Sequence, residues 1–180
     1  MEWSRLKNGD VMALEAIYRA HVKAMIQYGL KITDDIDLIR DSIQDLFLEI
    51  WKHRHNLADT TQPRFYLFRA LRNKLIKVQG KQSFVSESEM QLAFDNLSAE
   101  HIELEIMSRE GALQTAQTLK QLLEKLPQRQ QEAVFLRFYQ NIPYEKMAEI
   151  MNMNYQSVLN LMQRALQSLK KGYPHFSSKK

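Results

Sequence analysis

The segment from residue 126 to residue 169 constrains the fold more than any other part of the chain, because its apolar residues recur at helical spacing on both sides of one sharp turn. A first helix, beginning after Ile142 with Pro143 in its first turn, carries an apolar face made by Met147, Ile150 and Met151. Asn152 stands where that helix must end, and asparagine tolerates the left-handed conformation of a helix C-terminus. The side-chain oxygen of Asn154 is placed to cap a second helix. The spacing predicts a helix-turn-helix.

The second helix of this pair has two chemically different sides. Its apolar side is formed by Val158, Leu161, Met162, Ala165 and Leu169. Its other side holds polar and basic residues and no acid that would repel phosphate: Tyr155, Gln156, Ser157, Asn160, Gln163, Arg164 and Gln167. An amphipathic segment over residues 126–139 comes before the pair, and three such helices in succession are typical of a small DNA-binding domain. The pair alone leaves open an ordinary structural hairpin.

Apolar residues keep helical spacing through almost the whole chain, whose 180 residues include four prolines and five glycines. We therefore expect an all-α protein with two small helical domains joined by a linker, the C-terminal domain being the helix-turn-helix. The chain has no cysteine, and its five histidines lack metal-ligand spacing, so we expect no metal. Because phosphate-binding loops and nucleophile motifs are also absent, we expect no enzymatic activity, no cofactor and no small-molecule substrate. No apolar run approaches the roughly 20 residues that span a bilayer, which predicts a cytoplasmic protein.

Charge divides the chain into three parts. Residues 52–81 hold eight basic residues against the single acid Asp59, whereas residues 83–112 hold seven acidic residues against the single base Arg109. The acidic stretch is also rich in serine, asparagine and glycine, which is typical of a linker. We therefore predict an N-terminal helical domain over residues 1–80, an acidic linker over residues 81–115 and a C-terminal domain over residues 116–180.

The N-terminal part has the pattern of three amphipathic helices. The first begins at Asp10 as a cap, and its apolar stripe is formed by Leu14, Ile17, Tyr18, His21, Met25 and Tyr28. The second has an acidic face opposite an apolar stripe of Ile39, Ile43, Leu46, Phe47, Ile50 and Trp51. The third begins near Pro63, turns Leu67, Ala70, Leu71, Leu75 and Ile76 inward, and has a basic outer face made by Arg69, Arg72, Asn73, Lys74 and Lys77.

Aromatic residues interleave with the basic block at Trp51, Phe65, Tyr66 and Phe68. Flat rings beside cations suit the binding of unstacked bases. Their helical spacing also suits a place in the core, and both interpretations stay open for each ring.

Three ordered motifs carry a resemblance to a known family. They are D-x-x-Q-D-x-F-x-x-x-W from Asp41 to Trp51, Y-L-x-x-x-x-R-N from Tyr66 to Asn73, and the C-terminal helix-turn-helix. With this order the chain resembles, over nearly its whole length, the extracytoplasmic-function (ECF) sigma factors of bacterial RNA polymerase, in the sigma-70 family. Within that family, residues 126–151 look most like the iron-citrate-type branch.

The resemblance implies a subunit that binds core RNA polymerase and directs promoter recognition, DNA melting and transcription initiation, with no catalytic residue of its own. It assigns the polymerase contact to Asp41, Gln44, Asp45, Leu48, Glu49 and Trp51. It assigns the minus-10 contact to Tyr66, Arg69, Arg72, Asn73 and Lys77. It assigns the contact with minus-35 duplex DNA to Tyr155, Gln156, Ser157, Asn160 and Arg164. A membrane-anchored anti-sigma factor is the implied antagonist.

One departure from the family and two rival interpretations stay open. Family members often carry an acid a few positions after the arginine-asparagine pair, whereas this chain has none before Glu87, which leaves its minus-10 preference open. A stand-alone transcription regulator would use the C-terminal hairpin on an operator and the N-terminal helices to sense a ligand or to dimerise. A helical adaptor would leave the basic faces as solvated surface.

Overall fold

The computed structural model describes residues 1–82 and 109–172, and the regular structure within those two ranges is helical throughout. The all-α prediction is confirmed there. In the first range the helices are α1 Glu2–Lys7, α2 Val11–Gly29, α3 Ile36–Lys52 and α4 Pro63–Gln82, with a 3-10 turn at Arg54–Asn56. In the second range they are α5 Arg109–Glu124, α6 Gln128–Val134, α7 Tyr144–Met151 and α8 Tyr155–Gly172. Helices α4 and α5 therefore extend into the stretch predicted as a linker, whose remaining part lies outside the described residues.

Side-chain caps set where the N-terminal helices begin. The Asp10 carboxylate accepts hydrogen bonds from the backbone N–H groups of Met12 and Ala13, as predicted, at 2.9 and 3.3 Å. Asp35 accepts one from the N–H of Leu38 at 2.9 Å, and this bond starts α3. Each cap satisfies amide groups that have no partner inside the helix.

Helix α1 was not predicted. It is held by Trp3, a buried residue whose indole Nε1 donates to the carbonyl of Ala58 at 2.9 Å, and by Leu6, which is fully buried. Six residues are too few for a stable isolated helix, so α1 depends on this packing against the segment that leads to α4.

The core of the N-terminal helices follows most of the predicted stripes, with corrections on α2 and α4. Tyr18, predicted in the apolar stripe of α2, is 40% exposed. Leu67, Leu71 and Leu75 are fully buried at four-residue steps. Ile76 was expected to pack inward, but 40% of its surface is exposed. One residue along an α-helix is a turn of about 100°, so Ile76 lies beyond the edge of the stripe that its three neighbours define.

The C-terminal helices surround a second apolar cluster, in which Leu136, Ile142 and Met147 are fully buried. The predicted helix over residues 126–139 is shorter and less regular than expected. It begins at Gln128, and its last turn, Phe135–Tyr139, is π-helical, closed by a bond from the N–H of Gln140 to the carbonyl of Phe135 at 3.2 Å. This wider turn leads into α7.

The two helical units pack against each other, with α4 facing α7. Arg64 donates to the carbonyl of Gln140 at 3.2 Å. The side-chain amides of Gln79 and Gln128, one from each unit, both donate to the carbonyl of Ile32. The surfaces that face solvent are thus fixed for both units together.

Two glycines allow a matched test of this packing. A Cβ atom on Gly29 would lie 2.7 Å from Cγ2 of Ile39, a fully buried side chain that cannot move away freely, whereas a Cβ on Gly80 would meet nothing within 4 Å. We expect Gly29→Ala to lower the free energy of unfolding by about 1 to 3 kcal/mol through overpacking. We expect Gly80→Ala to raise it by about 0.5 kcal/mol, because alanine loses less entropy in a helix. Urea unfolding followed by circular dichroism measures both, and equal effects of the two substitutions would contradict the close contact at Gly29.

Candidate nucleic-acid and polymerase interfaces

Helix α3 presents an exposed row that combines acidic, polar and apolar side chains. Asp41, Gln44, Asp45 and Leu48 lie on one side of the helix, each three or four residues from two of the others, and all four are exposed. Leu48 is 61% exposed, although its neighbours Leu46 and Phe47 are buried. Leucine in water beside two carboxylates gives this row both an apolar contact and a negative charge for a protein partner.

The other two residues predicted for this surface already have partners. The Glu49 carboxylate forms an ion pair with Lys74 of α4 at 2.7 Å. Trp51 is half-buried, and the guanidinium carbon of Arg54 lies 4.5 Å from its ring centroid. Surface ion pairs contribute little to stability, so Glu49 stays available to a competing partner, whereas Trp51 supports the end of α3.

Helix α4 presents a second row, which is basic. Arg69, Asn73 and Lys77 are exposed at four-residue steps. Tyr66 precedes them on the same side. Tyr66 is 41% exposed and packs edge-to-face on Trp3, with 5.5 Å between the ring centroids. The row offers cations and amide donors to a nucleic-acid backbone and one ring edge to a base.

Arg72 does not share this surface, and its predicted place on the outer face of α4 is wrong. Arg72 is only 4% exposed, and its Nε donates to Oε1 of Glu132 on α6 at 2.6 Å. The Tyr28 hydroxyl donates to the same oxygen at 2.7 Å. Burial, followed by the charge of Glu132, raises the pKa of Tyr28 well above its usual range, so the phenol keeps the proton that it donates.

Glu132 was not among the predicted site residues. Glu132 lies three and four residues before Phe135 and Leu136, both buried, and a helix places side chains at those steps on one face. The sequence therefore contained one indication that Glu132 is paired: it is an acid at a position that helical periodicity assigns to the core, and a buried carboxylate needs a partner.

The turn between α7 and α8 has the predicted geometry. Asn152 adopts φ 51° and ψ 54°, the left-handed conformation, and ends α7. The Asn154 side-chain oxygen accepts a hydrogen bond from the N–H of Ser157 at 2.7 Å and so caps α8. Arg137 lies over the Tyr144 ring at 4.8 Å and donates to the carbonyl of Ile142 at 3.3 Å. The turn and its cap fix where α8 begins, and the two Arg137 contacts hold the start of α7 against the helix before it.

The outer side of α8 is a third row, which is polar with one cation. Gln156, Asn160 and Arg164 are exposed at four-residue steps, and Tyr155 before them is 45% exposed. The Gln156 amide donates to Oδ1 of Asn160 at 3.2 Å. Ser157 is only half-buried and lies beside the row. Side chains of this kind on a helix can form hydrogen bonds with base edges in the major groove.

Other kinds of site find no support in the part of the chain that the structure describes. Residues 1–82 and 109–172 contain no group of three histidine or acidic residues placed to hold a metal ion. Within the same ranges, no helix is both long and apolar enough to cross a membrane.

The chain is similar in sequence to known sigma factors, over its C-terminal part and over most of its length. Residues 116–169 match the family described as sigma-70, region 4. The ECF RNA polymerase sigma factor SigM of Bacillus subtilis is 24% identical over 162 residues, which cover 90% of this chain and 96% of that protein. The ECF RNA polymerase sigma factor SigL of Mycobacterium tuberculosis is 33% identical over 68 residues, which cover 37% of this chain and 38% of its own length.

Two solved structures share the fold. The sigma factor RpoE of Bartonella quintana, crystallised with the anti-sigma factor NepR, has a TM-score of 0.63 at 17% identity and covers 92% of this chain and 98% of its own. CnrH, solved in complex with the cytosolic domain of CnrY, has a TM-score of 0.61 at 17% identity and covers 94% of this chain and 93% of its own. At this identity the structures support the helical architecture alone.

The cap on α8 is open to a direct test. Asn154→Ala removes the acceptor for the N–H of Ser157, and we expect the C-terminal unit to lose about 1 kcal/mol of stability. Asn154→Asp keeps an oxygen at that place and serves as the matched control, with little expected change. Urea unfolding measures both variants, and an alanine variant as stable as the wild type would show that the cap contributes nothing.

Proposed function

Because the chain is a factor of the ECF group of the sigma-70 family, we propose that its three exposed rows bind core RNA polymerase, the minus-10 element and the minus-35 element of a promoter. The observation that supports this division is that the rows on α3, α4 and α8 differ in chemistry and follow one another along the chain. We place the polymerase and minus-10 functions in residues 1–80 and the minus-35 function in residues 116–180, with residues 81–115 between them.

The α3 row suits a protein partner better than DNA. Its carboxylates at Asp41 and Asp45 would repel phosphate, and Leu48, which is exposed one turn after Asp45, offers an apolar contact. Gln44 adds an amide that can form hydrogen bonds in either direction. We propose that this row, with Glu49 and the end of α3 at Trp51, binds core polymerase.

The α4 row suits single-stranded DNA. Arg69 and Lys77 can neutralise phosphates, Asn73 can form hydrogen bonds with a base edge, and the exposed edge of Tyr66 can contact an unstacked base. We propose that this row holds the minus-10 element after the strands separate. Arg72 belongs to the same site only in a conformation in which Glu132 has left it.

The α8 row suits duplex DNA. A helix that follows a tight turn and carries Gln156, Asn160 and Arg164 outward can enter the major groove, with Tyr155 and Ser157 at its first turn. We propose that this row reads the minus-35 element. Each row alone would bind weakly, and their linkage in one chain raises the effective concentration of one site once the other is occupied.

The rival interpretation as a stand-alone regulator is not favoured, since it assigns no role to the α3 and α4 rows. Two finer assignments extend the main proposal. The likeness of residues 126–151 to the iron-citrate-type branch supports placement in that branch. The fold shared with a sigma factor co-crystallised with the anti-sigma factor NepR supports an anti-sigma partner for this chain. From the family resemblance we propose that this partner is membrane-anchored and holds the chain in the cytoplasm.

The main proposal is tested by incubating the purified chain with bacterial core RNA polymerase and a library of promoter fragments. Pull-down should show a stable complex, and run-off transcription should start from fragments that share one minus-35 and minus-10 pair. DNA binding without polymerase association would instead favour the stand-alone regulator.

Charge reversal on α3 should separate polymerase binding from folding. We expect Asp41→Lys with Asp45→Lys to lower core-polymerase association at least tenfold, because each substitution turns an attractive charge into a repulsive one. The control, Glu2→Lys with Glu15→Lys, makes the same change in net charge on α1 and α2, where Glu2 is exposed and Glu15 is partly exposed. Pull-down at fixed salt compares the two pairs, and equal binding by both would remove α3 from the interface.

Truncation on α8 should weaken recognition of the duplex. We expect Asn160→Ala with Arg164→Ala to cost about 1 to 3 kcal/mol for each lost base-edge contact. Fluorescence anisotropy with the selected minus-35 duplex and a scrambled duplex measures this effect. A loss confined to the selected duplex indicates base reading, whereas unchanged binding to both would exclude the row.

A further inference from the structure

Arg72 combines two properties that conflict in a DNA-binding residue. It is next to Asn73, which is exposed in the α4 row, yet its own guanidinium is buried and ion-paired with Glu132. Arg72 belongs to the N-terminal unit and Glu132 to the C-terminal unit, so the pair joins parts of the chain that are 60 residues apart. The contact that removes Arg72 from solvent is therefore a contact between the two units.

Aromatic packing around Tyr28 adds to this contact. The rings of Tyr28 and Phe135 stack with centroids 6.1 Å apart, across the same boundary between the units. Tyr28 also packs edge-to-face on Phe68 of α4 at 5.1 Å. The Tyr28 ring thus contacts an aromatic ring in each unit, and its hydroxyl donates a hydrogen bond to the Glu132 carboxylate.

The chemistry of this contact makes it reversible. A buried ion pair gains attraction but loses the hydration of both charges, so its net contribution is small compared with that of an apolar core. Removal of one partner is costly, because the other charge stays buried without a counterion. If another anion paired with Arg72, the arginine would not be left as a buried charge without a counterion. Glu132 would become hydrated again as the C-terminal unit moves away.

A carboxylate and a phosphate compete for the same group. Both accept charge-assisted hydrogen bonds from a guanidinium in a planar arrangement. A DNA strand that runs along Arg69, Asn73 and Lys77 would place phosphates near Arg72 once the C-terminal unit has left. The exposed row on α8 is not covered by this contact, so duplex DNA can bind while the units are together.

We propose that the Glu132 carboxylate acts as an intramolecular phosphate mimic, which holds Arg72 in a latch between the two units and keeps the free chain closed to single-stranded minus-10 DNA. The proposal rests on the proposed function, because it takes the α4 row as the minus-10 site. Opening of the latch exposes Arg72 to the strand, and binding of the strand keeps the latch open.

The closed state can be measured in the full chain. Because the chain has no cysteine, Ala20→Cys on α2 and Ser168→Cys on α8, both at exposed positions, accept one spin label each. We expect one narrow distance distribution in the otherwise unchanged chain and a broad, longer one after Glu132→Gln. The control Glu149→Gln removes an exposed ion pair with Lys146 on α7 and should leave the distribution narrow.

Binding to single-stranded DNA tests what the latch does. With the minus-10 strand of a selected promoter, we expect Glu132→Gln to raise the affinity of the free chain about tenfold. The reason is that the apparent affinity of the wild-type chain is reduced in proportion to the small fraction of molecules that are open. The affinity for minus-35 duplex should not change. Tyr28→Phe keeps the ring contacts and removes one hydrogen bond to Glu132, so it should give a smaller change in the same direction even if Glu132→Gln lowers the helix content.

The outcomes separate the latch from the function on which it rests. A narrow distribution that persists in both Glu132→Gln and Tyr28→Phe overturns the latch, and opening without tighter binding of the single strand overturns its role as a phosphate mimic. Opening together with tighter binding supports both. If no promoter fragment directs initiation, the proposed function fails, whereas the spin-label distances still decide whether the latch exists.

Discussion

The packing of the two helical units against each other depends on one buried ion pair between them. Arg72 and Glu132 are almost completely buried, and each is the main counterion of the other. A buried charge without a partner is costly, so the loss of either group would destabilise the relative position of the two units. The hydroxyl of Tyr28 on α2 donates a hydrogen bond to the same carboxylate oxygen. The position of Glu132 is therefore constrained by two helices of the N-terminal unit.

The exposed rows owe their order to the cores beneath them. On α3, buried Ile39, Ile43 and Ile50 fix the rotation of the helix, so that the exposed row from Asp41 to Leu48 lies on the side away from the core. On α8, buried Val158, Met162 and Ala165 have the same effect. Side chains at four-residue steps then form a line along each helix. Recognition surfaces of this kind need no pocket, since a row on a rigid helix presents its groups at fixed spacing.

Local features of the sequence were sufficient for much of the fold and part of the candidate site. The left-handed turn at Asn152 and the caps by Asp10 and Asn154 were predictable, because each depends on residues within a few positions. The burial of Arg72 was not predictable in this way. Helical periodicity shows only which side of its own helix a residue occupies, whereas Arg72 is buried by Glu132, which lies 60 residues away in the sequence. Helix α1 was missed for a related reason: it exists through the bond from Trp3 to Ala58, 55 residues further along.

The π-helical turn over Phe135–Tyr139 makes the spacing between α6 and α7 sensitive to chain length. A π turn holds one residue more than an α turn, so the loss of one residue here would allow an ordinary α-helix to form. Since each residue rotates an α-helix by about 100°, everything after the turn would then emerge in another direction. Chains of this fold that differ in length by one residue at this place should therefore aim α7 and α8 differently, even where every residue of those two helices is the same.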